Sequence, residues 1–249
     1  MRHGPTTNTH FFFTTTPLPC PYLSGRVERR LVTELLGPNA GQLNDKLSLA
    51  GFRRSHTIAY APVCDGCSAC LSVRVPVKDF KPNRTQRRIV NRNADLQVEE
   101  RAPIATREQF DLFKAYIHAR HADGDMALMG QSDYRALIEE TPVQTSLIEF
   151  RDTDGHMLAS CLTDRLGDGA SAVYSFFDPT DTRRSLGTYV VLWLIERARE
   201  LGLDYVYLGY WVQGSHKMDY KRNFRPLEAY TPDGWLRMAP PSPRAKDPA

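Results

Sequence analysis

The sequence predicts an α+β protein in two unequal parts, and three observations carry that prediction. Several short runs alternate apolar and polar residues with period two, the mark of a strand half-buried on a sheet. Longer runs repeat apolar residues every three or four positions, the mark of a helix with one buried face. Four of the five cysteines, Cys20, Cys64, Cys67 and Cys70, fall in the first third of the chain, which sets that third apart as a smaller cysteine-containing α/β unit. A chain of 249 residues is long enough for one large or two small cores.

Taken in order, the elements are these. The Thr-rich start, to about Pro19, is expected to be poorly ordered. Ser24 is a credible N-cap for a helix through Leu36, with Val27, Leu31 and Leu35 on one face and Gly37-Pro38 as its stop. A short helical segment is expected over residues 45–50, and strands over 57–60 and 71–77 on either side of the cysteine loop. Pro82-Asn83 opens a basic segment over 84–92, and a second domain is expected to begin near Asp95. Thr106-Arg-Glu-Gln109 is a capping box for a helix through Arg120, with Phe110, Phe113 and Ile117 as its buried stripe. A short helix near 133–140 follows, then two alternating strands, 145–150 and 157–162, joined by Asp152-Thr-Asp-Gly155, a hairpin signal.

Gly167-Asp168-Gly169 turns the chain into a further strand, with Val173, Ser175 and Phe177 on one face, Tyr174 and Phe176 on the other, and Asp178-Pro179 as its end. A helix over 189–201 spaces Val190, Leu194 and Ala198 four apart, and Gly202 stops it. The β-branched and aromatic run Tyr205–Val212 is the next strand; if it is regular, Tyr207 and Tyr210 face opposite sides. Strand, helix, strand at this length favours a parallel pair with a right-handed crossover. The Pro-rich end predicts a disordered tail. The expected division is 11–94, 95–239 and a tail over 240–249.

Composition narrows the function classes. A formal net charge of +3 is only mildly basic, so nucleic-acid contact must come from a local patch. No run approaches a membrane span, and the start lacks the apolar core of a signal peptide, so a cytoplasmic protein with no membrane partner is expected. Cysteines in that compartment are free thiols or metal ligands rather than disulfides; Cys161, alone in a strand-like run, is expected to be a buried thiol.

Five groups of residues carry chemistry. Cys64-x-x-Cys67-x-x-Cys70 with Cys20 upstream offers four thiolates for zinc or an iron–sulfur cluster, and small buried residues in a tight loop are the equal alternative. Arg84, Arg87, Arg88 and Arg92 fall on one helix face with no acids interleaved, a stripe that suits phosphate, against the competing reading of a solvated face. His118 and His121 lie one turn apart at a helix end, where His121 is a candidate base or a simple cap. The turn over 183–188 places Arg183, Arg184 and Gly187 at a helix N-terminus, a natural anion site. Its spacing Arg184-x-x-Gly187-x-Tyr189 resembles the pyrophosphate loop of the GNAT acyltransferases, except that Tyr189 replaces a small residue and is expected to obstruct coenzyme A. Finally, Tyr207, Tyr210, Trp211, His216, Lys217, Tyr220, Lys221 and Arg225 mix rings and cations in a way that suits a nucleotide together with an acidic substrate.

Together, Cys20-Pro-Tyr22-Leu23, Cys-Asp-Gly-Cys-Ser-Ala-Cys, Arg-Thr-Gln-Arg-Arg followed by Arg-Asn, Arg-His-Ala-Asp-Gly-Asp-Met, SAVYSFFDP, RRSLGTY and YLGYWVQGSHKMDYK resemble the aminoacyl-tRNA–protein transferases, nearest to their bacterial aspartate/glutamate leucyltransferase branch. The collinear motifs run from about Phe11 to Leu236. The resemblance implies a GNAT-like C-terminal domain and transfer of leucine from leucyl-tRNA to proteins with N-terminal Asp or Glu, marking them for degradation, with no cofactor required. Eukaryotic arginyltransferases carry Cys-x-x-Cys in the first motif; here Leu23 holds the second place, which leaves Cys64 as the candidate substitute in any cluster. Tyr210, Lys217 and His121 are the candidate catalytic groups. Arg184, Gly187 and Tyr189 are placed at the tRNA terminus, and Tyr210 and Trp211 around the aminoacyl-adenosine. Lys217, Lys221 or Arg225 would meet the acceptor's acid. Arginyl transfer, a coenzyme A-dependent N-acyltransferase and a metal-stabilised RNA-binding module are the alternatives.

Overall fold

The computed structural model describes residues 9–122 and 124–239; the tail expected over 240–249, the first eight residues of the Thr-rich start, and Asp123 lie outside the described residues. The N-terminal part runs β1 (Phe13–Thr14), β2 (Leu18–Pro19), β3 (Val27–Glu28), β4 (Arg30–Glu34), α1 (Ala40–Leu49), β5 (Arg53–Ser55) and β6 (Ile58–Pro62). Its main sheet is antiparallel in the order β1-β4-β6-β5, and Leu35, Ala40, Leu47 and Ala59 form its small core.

The helix expected from Ser24 to Leu36 is not there: the segment is strand. β4 pairs with β6 from Arg30↔Pro62 to Glu34↔Ile58. Val27, counted on the buried face of that helix, is 56% exposed, whereas Leu35 is fully buried. Pairing across the sheet overrides an accidental three-to-four spacing, and Val27, Val32 and Thr33 are stiff β-branched residues suited to strands. Helix α1 begins at Ala40, ahead of the expected residue 45.

The remaining elements are β7 (Cys70–Pro76), α2 (Arg84–Arg92), β8 (Gln97–Arg101), α3 (Arg107–Arg120), α4 (Gln131–Glu139), β9 (Thr145–Arg151), β10 (Met157–Arg165), β11 (Gly169–Phe177), α5 (Leu186–Glu200), β12 (Tyr205–Val212), a 3₁₀ segment His216–Asn223, β13 (Glu228–Thr231) and β14 (Gly234–Arg237). They build one sheet in the order β14-β13-β7-β12-β11-β10-β9-β8. Every neighbour is antiparallel except β11 and β12, the parallel pair that α5 crosses over. β7 precedes the expected boundary near Asp95, yet it lies between β13 and β12. Ser72 to Pro76 of that strand are all buried, as befits a strand covered on both faces.

One face of the sheet is covered by α5, against which Val73, Val75, Val206, Leu208 and Trp211 pack. On the other face α3 and α4 bury Phe113, Ile117, Tyr134 and Ile138 against Leu147, Leu162 and Phe176. The capping boxes at Thr106/Gln109 and Asn83/Gln86 fix the starts of α3 and α2.

Two bulges decide the shape of the centre. On β11, Leu162↔Tyr174 is followed by Thr163↔Ala172, which leaves Val173 unpaired. On β12, Tyr207↔Arg74 is followed by Gly209↔Val73, which leaves Leu208 unpaired. An extra residue switches the faces that follow it. Val206, Leu208 and Trp211 therefore share the α5 side, and Tyr207 and Tyr210 share the other, contrary to the regular alternation expected. Likewise Val173 joins Tyr174 and Phe176 rather than Phe177. Gly209 takes φ +79° at the β12 bulge, a conformation that suits glycine.

The parallel pairing of β11 with β12 covers only Gly169↔Tyr205 to Ser171↔Tyr207. It stops where the bulges begin, and beyond it the strands part. An antiparallel sheet with one splayed parallel pair bridged by a helix is the GNAT-like arrangement expected for the C-terminal part.

Candidate functional site

The splay opens a cleft at the C-terminal ends of β11 and β12. Residues 172–175 of β11 stay half-exposed although their strand is internal to the sheet. Such crevices, at the carboxyl ends of strands beside a crossover, commonly hold ligands.

The C-terminal end of α3 and the 3₁₀ segment supply the groups around the mouth. Tyr116 packs on Phe177 with ring centroids 4.8 Å apart, and His121 lies edge-on to Tyr116 at 5.6 Å. Tyr220 is 42% exposed as a residue, while burial of its hydroxyl, with Tyr116 and Cys161 near it, raises the pKa of that group. Burial, then Lys217 and Arg120, pull the His121 pKa below its ordinary value. Two of the predicted catalytic residues, His121 and Lys217, therefore meet here. A half-buried imidazole kept neutral by neighbouring cations can take a proton from an incoming ammonium.

At the inner end lie Lys221, which was predicted, and Arg53, which was not. Lys221 is 6% exposed, and its Nζ donates to the Tyr210 carbonyl at 2.6 Å. Burial, with Arg53 beside it, lowers its pKa to about 7. Arg53 is equally buried and donates from Nη2 to the Ala172 carbonyl at 2.7 Å. The third predicted catalytic group, Tyr210, is committed elsewhere. Its hydroxyl lies 3.1 and 3.0 Å from the carbonyls of Gly51 and Tyr60, and burial raises its pKa, so it serves to dock the N-terminal sheet.

The turn before α5 is not a vacant anion site. Arg184 holds Asp95 through two bonds of 2.8 and 2.9 Å and lies 3.4 Å from Asp181. Asp181 Oδ1 also accepts the backbone N–H groups of Arg183 and Arg184. The chain's own carboxylates thus fill the place where a phosphate would go. Gly187 is needed for close packing, since a Cβ there would come within 2.7 Å of the Phe177 ring. Tyr189 turns into the core against Phe150, 5.7 Å between ring centroids, and is buried.

Other predicted residues lie apart from the cleft. Trp211 is buried on the α5 side under the Arg222 guanidinium, 5.2 Å away. Arg225 lines a cavity of about 170 Å³ with Arg222, Arg237 and Met238. Arg84, Arg87, Arg88 and Arg92 are exposed along α2, and among the described residues no carboxylate pairs with them. Gln86 ties that helix to the 3₁₀ segment through the Asn223 carbonyl at 3.0 Å.

Cys20, Cys64, Cys67 and Cys70 line one cavity of about 30 Å³ with Tyr22 and Tyr210. Burial, and then the other three thiols, push the Cys70 pKa up to about 12. The donor types suit zinc or an iron–sulfur cluster, but no three of the sulfurs come within 4.8 Å of one another. Among the described residues only Asp152, Asp154 and His156, on the β9–β10 turn, reach that closeness. The thiols converge without closing a ligand shell.

No helix among the described residues is long and apolar enough to cross a membrane. Two family descriptions match the chain: "Arginine-tRNA-protein transferase, N terminus" over residues 18–88 and "Arginine-tRNA-protein transferase, C terminus" over 108–231. The "Aspartate/glutamate leucyltransferase" of Paramagnetospirillum magneticum is 56% identical over 240 residues, 96% of this chain and 98% of that protein. That of Rhodospirillum rubrum is 53% identical over 237 residues, 95% of this chain and 96% of that protein. Among solved structures, "The structure of L-PGS from Bacillus licheniformis" is similar at a TM-score of 0.45 and 13% identity, over 57% of this chain and 45% of that one.

Proposed function

The chain belongs to the aminoacyl-tRNA–protein transferase family, and from that premise we propose that it moves leucine from leucyl-tRNA to the α-amino group of proteins beginning with Asp or Glu. The observation that carries this reading is the identity of 56% across nearly the whole length of a relative named for that transfer. The product carries an N-terminal leucine, a mark for degradation in the N-degron pathway.

The reaction asks little of the protein beyond placement. An aminoacyl ester is already activated, and an α-amino group has an ordinary pKa of about 7.7–8.0. His121 takes the proton from the ammonium; the amine attacks the ester carbonyl carbon, the C–N bond forms, and the C–O bond to the tRNA ribose breaks. The released ribose oxygen is protonated in turn. Lys217, exposed across the mouth, keeps His121 neutral and offers positive charge to the oxyanion. The open arginine face of α2 takes the phosphates of the acceptor stem. The transfer needs no cofactor, and metal analysis of the purified protein tests whether the four cysteines hold one.

Two alternatives remain distinct. The family descriptions name arginine as the donor, so arginyl-tRNA must be tested beside leucyl-tRNA. A coenzyme A donor is disfavoured by Asp181 and Asp95, which place negative charge where a pyrophosphate would lie, rather than by Tyr189. A transfer assay with labelled leucyl- and arginyl-tRNA against peptides beginning with Asp, Glu, Lys, Arg or Ala decides the matter. Leucine reaching only the Asp and Glu peptides supports the reading; arginine transfer, or use of acetyl-coenzyme A alone, overturns it.

A further inference from the structure

We propose that Arg53 and Lys221 together form the subsite that receives the side-chain carboxylate of the acceptor's first residue. Only the identity of the anion rests on the transfer reaction above; the subsite itself rests on three features of the cleft.

The first is position. Ala172 and Tyr210 lie just past the last paired residues of the parallel strands, Ser171 and Tyr207. Their carbonyls face a gap where two strands have separated, and each is met by a cation, Ala172 by Arg53 at 2.7 Å and Tyr210 by Lys221 at 2.6 Å. Gly209 lies beside Arg53: a Cβ on it would meet Nε at an ordinary contact distance of 3.5 Å. One cation thus holds a carbonyl of β11 and the other a carbonyl of β12, beside the half-exposed residues 172–175.

The second is charge. Arg53 and Lys221 are each 6% exposed, and among the described residues neither has a carboxylate within ion-pair distance. The acid nearest to hand, Asp164, is taken by Arg54 at 2.5 and 2.8 Å and by Thr145 at 2.7 Å. Tyr60 and Tyr210, which also border Arg53, are neutral phenols. Keeping two adjacent cations this deeply buried without a counter-charge is unfavourable, and an anion between them removes that cost. Most of the N–H donors on the two side chains have no partner within the protein.

The third is size. A phosphodiester enters with a nucleoside on either side and suits the open arginines of α2. Two cations that are each only 6% exposed suit a carboxylate on a short stem.

The test uses the full chain and peptides that begin with Asp, Glu or Asn, with binding measured by calorimetry in the absence of any tRNA and the same ratios read as KM during transfer. Charge-assisted hydrogen bonds of this kind are worth roughly tenfold to a hundredfold. Wild type should bind the Asp peptide more tightly than the Asn peptide by about that factor. Lys221→Met should reduce the preference to less than about threefold, Lys221→Arg should keep part of it, and Arg53→Lys should weaken both acidic peptides, with leucyl-tRNA affinity by gel shift unchanged in all. Because Lys221→Arg and Arg53→Lys retain a cation, they decide the matter if Lys221→Met fails to fold. Folded variants that keep the wild-type Asp/Asn ratio, or that lose leucyl-tRNA affinity instead, overturn the proposal. A wild type that distinguishes Asp from Asn without transferring leucine counts against the reaction and leaves the subsite standing.

Discussion

The turn that opens α5 and the recess where β11 leaves β12 both set cations beside backbone at the end of a strand, but they dispose of the charge in opposite ways. At the turn, Arg184 is matched by Asp95 and Asp181, and Asp181 also satisfies the turn's N–H groups. In the recess, Arg53 and Lys221 are far more deeply buried and have only carbonyls. The sequence advertises the first and hides the second. A cluster of arginines at a helix start is visible in one short stretch, and so are the nearby acids that neutralise it. Charge left unpaired inside a protein is visible only after the chain has folded around it.

The contrast can be tested from its strongest member downward. Arg54 stands next to Arg53 and is paired with Asp164. Asp164→Asn should strand that guanidinium and cost about 3–5 kcal/mol in denaturant unfolding; a loss under about 1 kcal/mol would mean that pairing matters little at this depth. Lys221→Met should act in the opposite direction on stability while removing acceptor preference. The folded-state pKa of Lys221, about 7, lies below that of an unfolded lysine, so the folded protein holds fewer protons between the two values and wild-type stability rises with pH across that window. The variant should therefore exceed wild type by about 1–3 kcal/mol at pH 6, where the buried charge is present in full, and the gap should narrow above pH 7. A gap that does not change with pH would remove the buried charge as its cause.

On the surface the effects are smaller. Arg84→Ala, Arg87→Ala and Arg88→Ala combined should weaken leucyl-tRNA binding about tenfold and flatten its salt dependence, with acceptor peptide binding unchanged. Arg184→Ala should cost less than about 1 kcal/mol, since its partners are largely solvated, and should leave tRNA affinity alone. A large loss of tRNA affinity there would restore the turn as the donor site.

Much of the fold from Thr106 to Val212 was legible, because its signals are local. A capping box, a Phe110/Phe113/Ile117 stripe and a strand of alternating rings each report on their own neighbourhood. The strand over 30–34 was not legible, because its partner β6 decides its form. Nor were the bulges at Val173 and Leu208, which exist only relative to the neighbouring strands. Nothing in Phe52-Arg53-Arg54-Ser55 tells one arginine from the other. One meets Ala172 and the other Asp164, each more than a hundred positions away.

The place of β7 in the middle of the large sheet has a consequence for how the chain is made. During synthesis β7 emerges with both edges bare, and its partners β12 and β13 come only near the end. Until then it is an apolar strand open to pairing with other chains. The cleft can close only as a late, long-range event, of the kind that slows folding. The family descriptions divide the chain between residues 88 and 108, but a fragment cut there would leave one piece with an unmatched central strand and the other with a gap in its sheet.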